Sequence, residues 1–446
     1  MGKYCSCGKY NNYYKYIFLS VLFCIISTIL FGYGYCNDSN FINIAQIFLD
    51  ETKAKLLSYH IIIHNIYRHF MILIISIILY YYEKYISKSQ KEETLKNNGI
   101  ELIYENLEKN LEKKSIIYII IAIIIFAIQE ILTFFYFTFD LRLMNLWILE
   151  LPLFSYFNYK ILNIKIYSHH KLAMYSSVIV SLTIKIIYFF VCRFSDDFKD
   201  RIYNKYKFLY FIGIFSYLII ITLRAYCVTK IKEFMDIKYI SPIKLLIIVG
   251  FIGILINTII MLIFSYNKCT TINDIDIHLC NITEIYSNRN ETYLENYFIY
   301  YKLFNNNNEI IVEIFTCFIG SISHFFYLYF YFLIIKYLSV FHIIFQAIIY
   351  SFIIRIINII IPIIKNEYFG GKAFNVTIFI STGISDIVAG LGILIYCEII
   401  ELNFYGLNYN LRRNIIQRSE QDLQINNCNL FSNENGDESE DDVSNV

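Results

Sequence analysis

At 446 residues the chain is 57% hydrophobic and 18% aromatic but only 17% charged, against about 25% charged residues in an ordinary soluble domain. That composition excludes a water-soluble enzyme of average make-up, and a net charge of +1 offers no basic surface for nucleic acid. With only 3 Pro and an excess of Ile, Tyr, Asn and Lys, the chain also carries a coding bias, so aromatic stripes are given little weight.

Ten apolar stretches are each long enough to cross a bilayer, which takes about 20 residues because hydrocarbon offers backbone groups no hydrogen-bond partner. Residues 1–15 form a basic lead with Lys3, Lys9 and Lys15. The first span, 16–35, lacks a following small-x-small cleavage site and is read as retained rather than removed as a secretory signal. His60, His64 and Arg68 recur every four residues ahead of the second span, 66–83, and are read as an interfacial polar face. No third ligand accompanies them, so no metal is expected there. Residues 84–115 are rich in Lys and Glu and predict an amphipathic helix at the membrane surface.

The third span, 116–137, carries Glu130 beside Gln129. The fourth, 143–164, is the most polar, interrupted by Glu150 and Pro152 and followed by Asn158, Lys160 and Asn163. The fifth, 172–193, carries Lys185, and a charged segment at 194–207 divides the chain. The sixth, 208–228, has Arg224 near its end. The seventh is 243–265, and the polar loop 266–310 after it holds Cys269 and Cys280, spaced for a disulfide in an oxidising lumen. The eighth, 311–335, contains His324; the ninth, 339–363, contains Arg355; the tenth, 375–399, contains Asp386. The tail, 402–446, is polar, ends acidic and is expected to be largely disordered.

With the amino end placed in the cytoplasm, the sequons at Asn37, Asn281, Asn290 and Asn375 all fall in or at the edge of gaps facing the other side. Asn37, Asn281 and Asn290 are the expected glycosylation sites, Asn375 lying too near the membrane. Lys and Arg lean toward the cytoplasmic gaps, with Lys199, Arg201, Lys205 and Lys207 in 194–207 as the exception. Five spans before the division, 16–193, and five after it, 208–401, force the second set to run in the opposite sense. The long polar insertion sits between the second and third spans of each set, as inversion requires. The expected fold is therefore an all-α bundle of about 10 spans arranged as two inverted five-helix halves, with both termini cytoplasmic.

Residues 229–253, TKIKEFMDIKYISPIKLLIIVGFIG, join a basic lead to Ser241-Pro242 and a helix carrying Gly250 and Gly253. This resembles the entry into a mid-chain span in the drug/metabolite transporter superfamily, in its nucleotide-sugar-transporter-like branch. The run Ile334-Ile335-Lys336-Tyr337-Leu338-Ser339 and the glycines Gly383, Gly390 and Gly392 are similar to later parts of the same superfamily. The resemblance covers about 60 residues by motif and implies a ten-helix carrier with a central cavity and alternating access. It names no solute.

An ionisable group in hydrocarbon costs about 2.5–3.5 kcal/mol and so faces the bundle interior or a wet cavity. The substrate-binding candidates are Arg355 and Lys185, positioned for an anionic or polar solute, and Glu130 and Asp386, positioned for proton coupling or gating. Arg224, Lys336 and Glu398 lie near span ends and are read as snorkelling side chains. No phosphate loop, nucleophile elbow or Cys/His framework is present, so neither enzymatic activity nor a cofactor is expected. The expectation is a multi-pass carrier of a small polar or anionic solute in an endomembrane or the plasma membrane. Its partners would be the lipid bilayer, the solute and, as an allowed assembly, a second copy of the chain. The alternative is a non-transporting membrane scaffold or receptor-like protein, in which the polar pairs only hold helices together.

Overall fold

The computed structural model describes residues 7–31, 61–94, 120–125, 127, 147–193, 207–237, 240–266, 307–364, 373–402, 407–410, 414, 417 and 418. Among these the regular structure is wholly helical. Nine α-helices run in chain order: α1 Cys7–Phe31, α2 Ile61–Thr94, α3 Glu150–Leu162, α4 Ser168–Arg193, α5 Lys207–Ile237, α6 Pro242–Tyr266, α7 Asn307–Tyr337, α8 Phe341–Ile364 and α9 Ala373–Tyr396. A 3-10 turn, Trp147–Leu149, leads into α3, and residues 120–125 are helical.

Four stretches among the described residues are long and apolar enough to cross a membrane: Asn65–Tyr85, Ser168–Ile187, Pro242–Ile263 and Cys317–Tyr337. Shorter apolar helical stretches cover Tyr14–Ser27, Phe341–Ile353 and Gly383–Tyr396. These segments are rich in Ile and Phe, which are poor helix formers in water; in a bilayer the helix satisfies every backbone group and the preference reverses. The outer surface fits that environment. Along α6, Phe251, Leu255, Ile259, Leu262 and Tyr266 form one exposed stripe, while Leu245, Leu246, Val249 and Ile252 are buried on the other side. A helix this apolar on its outward face is solvated by lipid, not water.

The helices overlap the stretches expected from sequence, with departures at the start of α1, the end of α5, and at α2 and α3. Helix α2 continues to Thr94, so the first part of the Lys/Glu segment extends the second span instead of starting a separate helix. The fourth span shortens to the 13 residues of α3, about 20 Å of rise. The helix starts only at Glu150, after the 3-10 turn, and ends near the expected place, where Asn163 takes a left-handed conformation (φ 54°) and its N–H caps the carbonyl of Asn158.

Tight turns gather at one end of the bundle. Between α5 and α6, Ser241 accepts the N–H of Lys244 at 3.2 Å and Pro242 opens the helix, a capping pair that stops α5 from continuing. Lys232 of α5 donates to the carbonyl oxygens of Lys336 (3.0 Å) and Leu338 (3.4 Å) at the α7–α8 turn. The rings of Tyr14 and His342 lie 5.8 Å apart, which brings the start of α1 to the same turn. Phe341 packs on Tyr396 at 4.2 Å, and His170 pairs with Glu398 at 3.2 Å, so the end of α9 joins them. The beginning of the first helix and the end of the last therefore share one end of the molecule.

Helix α7 is the most enclosed span, with 61% of its apolar window buried, and it touches α1, α2, α5, α6 and α8. Phe23 of α1 stacks on Phe326 and Phe330 of α7 at 5.0 and 5.8 Å. Helices α2 and α6 approach closely at their glycines, where a Cβ on Gly250 would lie 2.9 Å from the Leu73 nitrogen and one on Gly253 would overlap the His69 ring. Helices α4 and α9 meet through Gly392 against Ser177 and through a 2.5 Å hydrogen bond between the hydroxyls of Ser181 and Ser385.

Candidate functional site

Polar side chains that have no place in hydrocarbon collect inside the bundle, around Glu150 and Arg224 on one hand and around His324 on the other. The inner face of α3 is built by Glu150, Leu151, Phe154, Ser155 and Asn158, spaced to share one side of a helix, and all five are buried. At its head Glu150 is fully enclosed, and its Oε1 accepts a hydrogen bond from Nη1 of Arg224 at 3.1 Å. The guanidinium is also hydrogen-bonded to Tyr331 and lies near Tyr327, both on α7. The other carboxylate oxygen of Glu150, Oε2, is buried without a hydrogen-bond partner among the described residues.

Farther along the same stripe of α7, Arg68 and His69 of α2 are buried at 6% and 3% exposure and act electrostatically on His324. His69 shares a hydrogen bond of 2.7 Å between its Nδ1 and the carbonyl of Asn65; because a carbonyl only accepts, Nδ1 carries the proton. Its ring fills the notch left by Gly253. Asn257, one turn along α6, donates to the Gly253 carbonyl at 2.8 Å. The bundle thus carries two arginines, a carboxylate and two histidines at its centre, wrapped by aromatic and aliphatic packing. Ionisable groups buried in this way are costly in a membrane.

No family model and no curated protein sequence matches the chain. The site is therefore read from its own chemistry.

Of the sequence candidates, Asp386 and Lys185 lie among the described residues and are both buried. Asp386 accepts a 3.4 Å hydrogen bond from Ser351 of α8. Lys185 sits one turn beyond Ser181, whose partner Ser385 adjoins Asp386, so both candidates belong to the α4–α9 seam. Glu130, the Arg355 side chain, Cys269, Cys280, Asn37, Asn281 and Asn290 lie outside the described residues.

Three sequence readings change. Arg224 does not snorkel to the surface: its side chain is 12% exposed and bound to Glu150, because α3 brings a carboxylate to its level. Glu398 is tied to His170 across the α4–α9 end. Arg68 is buried at 6% exposure and acts electrostatically on His324 of α7, so it does not form an exposed interfacial face. Sequence reasoning also missed the inner stripe of α7. Ser321, His324, Tyr327 and Tyr331 recur at three- and four-residue steps in an otherwise apolar run, a helical period in polar groups that was there to be found.

Outside the membrane-spanning part, Lys232 is held below its usual pKa by burial, with Asp236 at 3.0 Å opposing that shift. The ammonium is retained because it donates to two carbonyl oxygens at the end of α7, where the helix dipole favours a cation.

Proposed function

We propose that the chain is a multi-pass carrier, of about ten spans in two inverted five-helix halves, that moves a small polar or anionic solute by alternating access. The first half comprises α1, α2, the span containing 120–127, α3 and α4; the second comprises α5 to α9. Exchanging the halves in order pairs α1 with α5, α2 with α6, α3 with α8 and α4 with α9. The observation that supports the reading is that several helix contacts have a counterpart under this exchange, those of α7 falling on the third span, of which only 120–125 and 127 are described. Contacts α2–α6, α3–α8 and α4–α9 map onto themselves, α3–α5 maps onto α1–α8, and α3–α4 maps onto α8–α9; all are present. Packing of that kind is what a two-fold axis in the membrane plane produces.

Arg68, His69, Glu150, Arg224 and His324, strung along the inner stripe of α7, support a polar pathway through the bundle, with Asp386 and Lys185 on the α4–α9 seam. The same reading puts both termini in the cytoplasm, in an endomembrane or the plasma membrane, and agrees with the resemblance to the drug/metabolite transporter superfamily.

The test is a panel of small polar and anionic solutes screened by thermal shift on purified protein, since a ligand of the native state alone raises its apparent stability. Hits are then assayed for uptake into reconstituted vesicles. The carrier reading expects at least one solute that both stabilises and enters, with uptake abolished by Arg355→Ala at unchanged folded yield. A protein that folds and binds solutes but never admits them is the scaffold or receptor-like alternative.

A further inference from the structure

We propose that Oε2 of Glu150 is a proton-binding site, and that a proton arriving there weakens the link between the two halves at Arg224. The inference rests on the carrier reading for its meaning, but its geometry stands alone. Glu150 belongs to α3 in the first half and Arg224 to α5 in the second, so their 3.1 Å hydrogen bond is a link between halves.

An ionised carboxylate offers two oxygens and about four lone-pair sites to donors. Here one oxygen has a single guanidinium N–H, and the other is enclosed with no donor among the described residues. A buried charge so poorly solvated is stable only while its one partner stays, and adding a proton removes the charge. A proton is also the smallest group able to occupy a closed position. Two features keep the site reversible: Arg224 favours the anion from α5, and the place of Glu150 in the first turn of α3 favours it as well. From α7, Tyr327 and Tyr331 face the guanidinium, and no titratable group on α4, α8 or the preceding 3-10 turn acts on Glu150 among the described residues.

The consequence of protonation follows from who holds what. With the carboxyl neutral, Arg224 loses its ionic partner but keeps the Tyr331 hydroxyl, which belongs to its own half. The guanidinium then stays with α5 and α7, and its link to α3 falls from an ion pair to a neutral hydrogen bond at Oε1. This makes Glu150–Arg224 a latch whose strength follows the proton.

Infrared difference spectroscopy on the full-length protein in lipid nanodiscs tests this without any solute. Acidification from about pH 8.5 to about pH 5 is expected to raise the carbonyl stretch of a protonated carboxyl that Glu150→Gln deletes and Glu150→Asp shifts. Wild-type protein carrying isotope-labelled glutamate needs no variant: its new band must move with the label. Bands unaffected by both substitutions, or no label-sensitive band at all, overturn the proposal. A solute screen that finds nothing would count against the carrier reading and leave this result standing, so the two failures are distinct.

Discussion

Removing one partner of the central ion pair is expected to cost far more than removing both. Glu150 is fully enclosed and the Arg224 side chain only 12% exposed. At their 3.1 Å separation the attraction is about 5 kcal/mol at an effective dielectric of 20. Breaking such a pair by a single truncation strands the survivor's charge and typically costs about 3–5 kcal/mol, whereas exchanging both for apolar residues of similar volume is close to neutral. Arg224→Leu and Glu150→Met alone should therefore each destabilise by about 3 kcal/mol or more, and the double variant by much less, a coupling of at least about 2 kcal/mol. Equilibrium unfolding of protein in mixed micelles, followed by far-UV circular dichroism, measures all four corners of the cycle. Glu150→Gln adds a check on sign, since a neutral amide keeps a hydrogen-bond acceptor for Arg224 and should cost less than Glu150→Met. Single variants within about 0.5 kcal/mol of wild type, or strictly additive losses, would refute the claim that this pair is buried and coupled.

Other outcomes follow from the packing and the turns. Gly250→Ala places a methyl 2.9 Å from the backbone of Leu73 and should destabilise by about 1–3 kcal/mol. Gly383→Ala meets nothing within 4 Å and should be neutral or stabilising by up to about 1 kcal/mol; thermal denaturation of the two variants side by side checks the contrast. Replacing Ser181 and Ser385 together by cysteine should give a disulfide on mild oxidation, seen as protection from alkylation, because their hydroxyls lie 2.5 Å apart. Lys232→Met removes two hydrogen bonds to the α7–α8 turn and should cost about 1–3 kcal/mol. For wild type the sign of the pH effect follows from the lowered Lys232 pKa. The unfolded chain binds the proton more tightly, so this group's contribution becomes more favourable as pH rises through the folded value toward the ordinary lysine range.

Much of the fold was legible because the bilayer imposes a length on each apolar run. The helices from α4 to α9 begin and end within a few residues of the expected spans, apart from the longer carboxyl end of α5 at Ile237. The length rule failed at α3, which starts only at Glu150, after a 3-10 turn, with Glu150 and Asn158 serving the interior. Site residues were harder to read. A charge near a span end looks the same in sequence whether it reaches for water or for a partner, so Arg224 was misplaced until α3 was seen to bring Glu150 to its level. Arg68 was grouped with His60 and His64 by spacing alone, yet helical spacing fixes a common face and says nothing of which neighbour that face meets. Lys185 and Asp386 were chosen as isolated intramembrane charges, and both are buried on one seam. What sequence could not supply was the pairing of helices, because it is set by contacts between residues hundreds of positions apart, such as Ser155 with Tyr396.

The inverted arrangement makes its sharpest demand on the two long polar insertions. Single cysteines at Glu92→Cys and Ser287→Cys, in a background freed of native cysteines, are to be labelled in intact cells with a membrane-impermeant maleimide. Two opposed halves require Ser287→Cys to react from outside or the lumen while Glu92→Cys reacts only after permeabilisation. Labelling of both from the same side would leave an even number of crossings between them and contradict the account.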